Sequence, residues 1–426
     1  MGKGIETRII IGKILKKIRE TSINLDSCFE KSIENHKLSE TDRRFIYNVT
    51  ITTIRNINTI EQILENFTKK INKKEISYFL IISALCQIFY LKLKGYAVIN
   101  STCESLKKLS SKKSISFANG LLRNIERNKK NIILNVLKKS KHPIWFKNNI
   151  KNLSSNKRKA IYKSVTNKPS LHIYFKSNKY IKSINKKYIK TSETSIALKQ
   201  NCKIIDLPGY NKGNWWIQDY AATIPVKLFG NIKNKKILDM CAAPGGKTFQ
   251  LINLGAKVTA YDISKKRIEL MKANAKRLNY NIKIIENNVL KISETIKYDA
   301  ILLDPPCTST GTIKRNPEIL YRKIEPDINY FIELQYNMLI KASKLLKKSG
   351  TIIYSVCSLF QNEGINQIKK FLLEKNNFSI SKIKLDKSCN YNKLITNEGY
   401  FQSYPYDLYN IGGIDGFFIA KLIKEK

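Results

Sequence analysis

Acidic residues are scarce in this chain. Thirty-three Asp and Glu stand against 77 Lys and Arg, a formal net charge of +44 over 426 residues. A surplus of that size favours a polyanionic partner, because neutralising phosphates releases counterions and gives affinity for nucleic acid of any sequence. The shortage is sharpest early: residues 1–235 hold 47 basic and 15 acidic residues, leaving 30 and 18 for the rest. Proline is absent before Pro143, as fits a helical first region. The eight cysteines form no CxxC pair, which argues against a zinc site and against a small disulfide scaffold. Free thiols in a chain this long suggest a reducing cytoplasm. The three histidines, His36, His142 and His172, are too scattered for a Ser-His-Asp site. No apolar run is long enough to span a membrane, and MGKGIETRII does not read as a signal peptide, so a cytoplasmic protein without a membrane partner is expected.

What is present falls into three textures. Residues 1 to about 135 carry apolar residues at helical spacing, as in RIIIGKILKKI, RRFIYNVTITTIRNINTIEQILENF and ISYFLIISALCQIFYL. Ser39 is placed to cap a helix, and the serine-rich stretch near 100–116 reads as loop. From about 140 to 232 prolines appear, and YFKSNKYIKSINKKYIK (174–190) interleaves lysines with aromatics and carries no acid, which suits a surface facing RNA or a solvated charged face. From 236 short apolar runs alternate with helical stretches: KKILDM, KVTAYD, IKIIENN, DAILLD and GTIIYSV. That alternation predicts a parallel sheet with right-handed crossovers and helices on both faces, a Rossmann-like α/β domain. Ligands of such sheets bind at the carboxyl ends of the strands.

Every distinctive residue falls at those ends. The first strand runs into LDMCAAPGGKT, where Gly245 and Gly246 allow a ligand close to the backbone and the next helix offers free N–H groups. Neither GxxxxGK[ST] nor GxGxxG is present, so the turn is not a nucleotide triphosphate loop or a dinucleotide fingerprint. Asp262 ends the second strand, where an acid suits the two hydroxyls of a ribose. Asn287 and Asn288 end the third, where an amide could meet an adenine edge. Together these favour an adenosine ligand.

The fourth strand closes in Asp304-Pro305-Pro306-Cys307, and Cys357 follows the fifth in YSVCS. An aromatic residue after the two prolines would suggest methylation of an exocyclic amine; a cysteine there favours another reaction. Carbon 5 of a pyrimidine is a poor nucleophile until a thiolate adds to carbon 6 and turns the ring into an enamine. Two cysteines at neighbouring strand ends, both facing the cofactor site, suit that covalent route.

The ordered set LDMCAAPGGKT, Asp262, DPPCTSTGTIKRNPEI, YSVCS and DGFFIAKLIK resembles the Sun/Fmu family of RNA cytosine-5 methyltransferases. DRRFIYNVTITTIRNINTIEQIL (42–64) resembles a helix pair of the NusB type, and HPIWF (142–146) resembles the segment that follows it. The resemblance implies a NusB-like helical RNA-binding domain over 1–138, a small α+β linking RNA-binding subdomain over 139–232, and the methyltransferase domain over 233–426. It implies Cys357 as nucleophile, Cys307 in product release and Asp304 in orienting the base. S-adenosyl-L-methionine would contact Cys241, Ala242, Ala243, Pro244, Gly245, Gly246, Lys247, Asp262, Asn288 and Asp304, with no metal. The implied substrate is a cytidine of 16S ribosomal RNA, free or in a partly assembled small subunit, and the protein is expected to be a monomer. A transfer RNA target, or a non-catalytic RNA-binding assembly factor, are the alternatives. The chain departs from the family at Val356, where a threonine is usual, at Asn288, where an acid is common, at Pro305, where an alanine is usual, and in LHIYF (171–175), where Leu-Arg-Val-Asn is the pattern.

Overall fold

A computed structural model describes residues 3–109, 111–135, 142–198, 202–384 and 392–425. The expected boundary at 138–139 lies outside them. Contacts divide the chain into two units: residues 1–167 with 315–326, and residues 168–314 with 327–426.

The first unit is helical among the described residues. Its centre is the helix Ile76–Phe89, buried from Ser77 to Ile88, as an element apolar on every side must be. Around it pack Lys3–Glu20, through Ile10, Ile11, Ile14, Leu15 and Ile18, and the pair Glu40–Arg55 and Ile57–Phe67. Ser39 caps the first of that pair, its hydroxyl accepting from the Asp42 N–H at 3.1 Å. The serine-rich stretch is a correction: it lies mostly in the helices Gly95–Lys107 and Lys112–Arg127. There Thr102 and Ser105 donate to the carbonyls of Val98 and Ser101, both at 2.7 Å, which satisfies the hydroxyls without breaking the helix. Buried Val98, Ile99 and Leu106 hold the first of these helices in place. Residues 315–326 complete the unit. Tyr321 is in its core with the Arg19 guanidinium 5.2 Å from the ring centroid, and Glu318 accepts from the Leu25 N–H at 3.2 Å.

The second unit holds two sheets. The smaller is antiparallel, in the order β2-β3-β1-β4, with β1 Leu171–Phe175, β2 Tyr188–Ser192, β3 Ser195–Leu198 and β4 Trp215–Ile217. His172 of LHIYF is structural: buried in β1, its Nδ1 accepts from the Tyr220 N–H at 2.9 Å. Of the lysines in 174–190, Lys176 also turns inward, to the Leu278 carbonyl and the Tyr280 ring, while Lys179, Lys182, Lys186, Lys187 and Lys190 are exposed.

The larger sheet comprises β5 Lys236–Met240, β6 Lys257–Asp262, β7 Lys283–Glu286, β8 Tyr298–Leu303, β9 Leu346–Val356, β10 Phe378–Ile380, β11 Phe401–Gln402 and β12 Phe418–Lys424. Its order is β10-β12-β9-β8-β5-β6-β7, with β11 beside β12. The five strands from β5 to β9 are mutually parallel, and β12 pairs antiparallel with β9. Helices cover both faces, so the central strands are apolar on both sides. Leu238, Ile301, Leu303, Ile352 and Tyr354 meet the helices Ile328–Leu345 and Ile365–Glu374 on one face. Ile237, Ala300, Leu302 and Ile353 meet Tyr220–Lys227 and Leu251 on the other. This is the Rossmann-like fold expected, with the helical region before it.

Candidate active site

The loops at the carboxyl ends of β5, β6, β8 and β9 build the site. After β5 the chain turns sharply. Cys241 adopts a left-handed conformation (φ +64°), the Ala243–Pro244 peptide is cis, and Gly245 is left-handed as well (φ +106°). A Cβ on Gly245 would stand 2.5 Å from the Phe249 ring, so only glycine fits this entry to the helix Gly246–Asn253. Asp262, at the end of β6, braces the turn: Oδ2 accepts from the Ala243 N–H at 3.0 Å and Oδ1 from the Ser264 N–H at 2.9 Å. Two bonds leave acceptor capacity on a carboxylate, which takes about four. The turn is buried or half-buried except at Pro244, and an acid with spare lone pairs beside it suits the ribose hydroxyls of an adenosine-type cofactor. Asn288 follows Asn287, whose N–H donates to the Asp262 carbonyl at 3.1 Å; the Asn288 Oδ1 accepts from the Leu290 N–H at 3.0 Å and caps a short turn.

A second cluster joins the ends of β8 and β9. The sulfurs of Cys307 and Cys357 are 3.5 Å apart. Asp304 accepts from the Lys247 ammonium at 2.6 Å and from the Ser355 hydroxyl at 3.2 Å. The Ser309 hydroxyl is 3.7 Å from the Cys357 sulfur and 3.9 Å from that of Cys307. The loops are held together from behind. Gly311 donates its N–H to the Cys357 carbonyl and accepts from the Gly416 N–H, both at 2.9 Å; a Cβ there would lie 1.9 Å from the Gly416 oxygen. Glu363, wholly buried, accepts from the Thr308 N–H at 2.9 Å, the Thr308 hydroxyl at 2.5 Å, the Gln335 amide at 3.0 Å and the Ser358 hydroxyl.

The thiols of this cluster are unequal. Cys357 is lowered below the usual thiol value, first because the Cys307 S–H donates to it, with help from Ser309 and Lys247; burial and Asp304 oppose. Cys307 is raised by being that donor and by burial. Cys241 is raised by burial and by three nearby acids, which leaves it a neutral thiol. Lys247 stays charged: burial works against it, but Asp304 outweighs burial and raises its pKa.

The structure thus brings together Cys307, Cys357, Asp304 and Lys247, and separately Asp262 with Ala243. Sequence reading missed the Asp304–Lys247 pairing, Ser309 and Glu363. Ser309 was in view, two residues after Cys307. Glu363 belongs to no motif, and its place behind both cysteine loops appears only on folding. Among the described residues no group of His, Cys, Asp and Glu is arranged to hold a metal ion, and no helix is long and apolar enough to cross a membrane.

Comparison with known proteins finds two family matches along the chain. Residues 228–423 match the family described as 16S rRNA methyltransferase RsmB/F, and residues 5–127 match the NusB family. The chain is 27% identical to the ribosomal RNA small subunit methyltransferase B of Photorhabdus laumondii, over 98% of both chains. It is 26% identical to the enzyme of the same name from Proteus mirabilis, again over 98% of both. In fold it is similar to the crystal structure of PH0851 (TM-score 0.75, 20% identity, 100% of this chain and 98% of that one). It is also similar to NSun6 from Pyrococcus horikoshii with SFG (TM-score 0.55, 19% identity, 66% of this chain and 97% of that one).

Proposed function

This chain belongs to the RsmB/F family of 16S rRNA methyltransferases, and from that premise we propose that it methylates carbon 5 of one cytidine in 16S ribosomal RNA through a covalent bond from Cys357 to carbon 6. It is an S-adenosylmethionine-dependent rRNA methyltransferase. The observation that carries the finer reading is the pair of sulfurs 3.5 Å apart, of which the one beside Lys247 is the more acidic.

The Cys357 thiolate adds to carbon 6, and the electrons of the 5,6 double bond move to carbon 5. The cofactor, when bound, supplies an electrophilic methyl group on a positively charged sulfur. When carbon 5 takes that methyl, the methyl–sulfur bond of the cofactor would break and leave a neutral thioether. Carbon 5 then gives its proton to solvent water, and the electrons of that C–H bond re-form the 5,6 double bond and expel the Cys357 thiolate from carbon 6. Cys307 stands within reach of this second half and serves release. Asp304 is fixed from two sides by Lys247 and Ser355, so it presents a carboxylate of set position to orient the base. The turn from Cys241 to Lys247, with Asp262, Asn288 and Asp304, holds the cofactor. Residues 1–138 and 139–232 serve as RNA-binding parts ahead of the catalytic domain at 233–426. The target base must leave its stack to reach two sulfurs at the strand ends.

The test is a denaturing gel. Cys307→Ala incubated with 16S RNA and S-adenosylmethionine should give a band shifted by covalently attached RNA, and Cys357→Ala should give neither adduct nor product. An adduct formed by Cys357→Ala would reverse the two roles. Transfer RNA in place of 16S RNA should leave the band unshifted.

A further inference from the structure

Ser309 sits in a conformation that costs energy. Its φ and ψ are +55° and +21°, the left-handed region, which a side chain other than that of glycine, asparagine or aspartate occupies at a cost of about 1 kcal/mol. The backbone of Ser309 has a structural role: its carbonyl accepts from the Thr312 N–H at 2.9 Å and from the Thr312 hydroxyl at 2.8 Å. Any residue would supply that carbonyl, and glycine would do so without strain. The side chain has a different set of neighbours. Its oxygen lies 3.7 Å from one sulfur, 3.9 Å from the other and 3.5 Å from the Cys307 carbonyl, to which it donates.

We propose that the Ser309 hydroxyl is the donor that holds the Cys357 thiolate, swinging from the Cys307 carbonyl to the Cys357 sulfur when that thiol loses its proton. The proposal rests on Cys357 being the nucleophile. The neighbours of Cys357 offer no substitute. Val356 is apolar and buried, and the Ser358 hydroxyl is spent on Glu363. The Ser355 hydroxyl faces Asp304. Asp304 and burial both penalise a negative sulfur here, and the groups that offset them are the Cys307 thiol, Ser309 and Lys247. Cys307 is also needed for release, and Lys247 is committed to Asp304 at 2.6 Å. Lys247 acts on the sulfur through its charge, so of the two groups that hydrogen-bond to it, Cys307 and Ser309, Ser309 is the one that release does not also call on.

Three substitutions separate chemistry from architecture. Ser309→Gly removes both the hydroxyl and the strain; Ser309→Thr keeps the hydroxyl and worsens the strain; Ser309→Ala removes the hydroxyl and keeps the strain. The readout is the rate of iodoacetamide alkylation at Cys357 against pH in the protein without cofactor, resolved by peptide mass spectrometry, together with the melting temperature. The expected result is that reactivity follows the hydroxyl. Ser309→Gly and Ser309→Ala should alkylate about tenfold more slowly at pH 7, with the half-maximal pH moved up by about one unit, while Ser309→Gly melts at or above the temperature of the parent. Ser309→Thr should keep the parent profile even if it melts lower. The proposal is overturned if Ser309→Gly and Ser309→Ala keep the parent pH profile. The nucleophile assignment fails separately, if Cys357→Ala still forms the RNA adduct.

Discussion

Asp239 stands one residue before the end of β5, with its carboxyl group wholly enclosed. Burial pushes its pKa up to about 7, and Asp304 and Asp262 add to that, against the Thr248 hydroxyl, which donates at 2.5 Å, and Lys247. The consequence for stability has a definite sign. Below about pH 4 the group is protonated whether the chain is folded or not, and costs nothing. As pH rises from there toward 7 the unfolded chain ionises while the folded one keeps its proton, so folding is penalised progressively. The loss is complete above the folded value and amounts to about 4 kcal/mol. Asp239→Asn should therefore gain on the parent as pH rises, with urea midpoints that converge near pH 4 and separate by pH 7.5. Parallel midpoint curves would show that Asp239 is not carrying this cost. At this scale the sequence was informative about chemistry and silent about support. Cys307, Cys357, Asp304 and Asp262 were legible because strand ends in a parallel sheet face one way. The partners that tune them, Lys247 for Asp304 and Thr308 for Glu363, depend on which loops meet.

Elements were legible where both faces of a strand are buried, because a run such as DAILLD then has no polar alternation to blur it. They were misread at 100–116, where serine marks a break in an exposed chain but here bonds back along the helix. Between elements the decisive tie is Glu363. It joins the loop after β8, through Thr308, to the loop after β9, through Ser358, and to the helix Ile328–Leu345 through Gln335. Glu363→Ala would remove the acceptor of four buried hydrogen bonds, and the Thr308 N–H would lose its described partner, at a cost of about 3 kcal/mol. Glu363→Gln should cost less, since one oxygen still accepts. Thermal unfolding ranks the three proteins, and equal melting temperatures for the parent and Glu363→Ala would remove the tie from the account. The same series should slow Cys357 alkylation, because the two sulfurs ride on the two loops that Glu363 holds.

For the whole molecule the basic excess was legible and its use was not. Of the six lysines between 176 and 190, five are exposed and Lys176 is a packing residue. Replacing Lys179, Lys182, Lys186 and Lys187 by glutamine should weaken 16S RNA binding and flatten its salt dependence. The slope of log K against log salt should fall in magnitude by up to about 3, at roughly 0.7 for each phosphate no longer neutralised. An unchanged slope would mean that the stretch is a solvated face. Nothing in the sequence announced that residues 315–326 complete the helical unit, because their partners in it lie almost three hundred residues earlier. That distance bears on synthesis. The ribosome releases the chain from its amino end, so the helices of 1–167 are exposed long before Tyr321 and Glu318 exist to join Arg19 and Leu25. The first unit to be made is thus among the last to be finished. Until residue 326 has emerged, the nascent chain carries an open seat in its first core for a chaperone to cover.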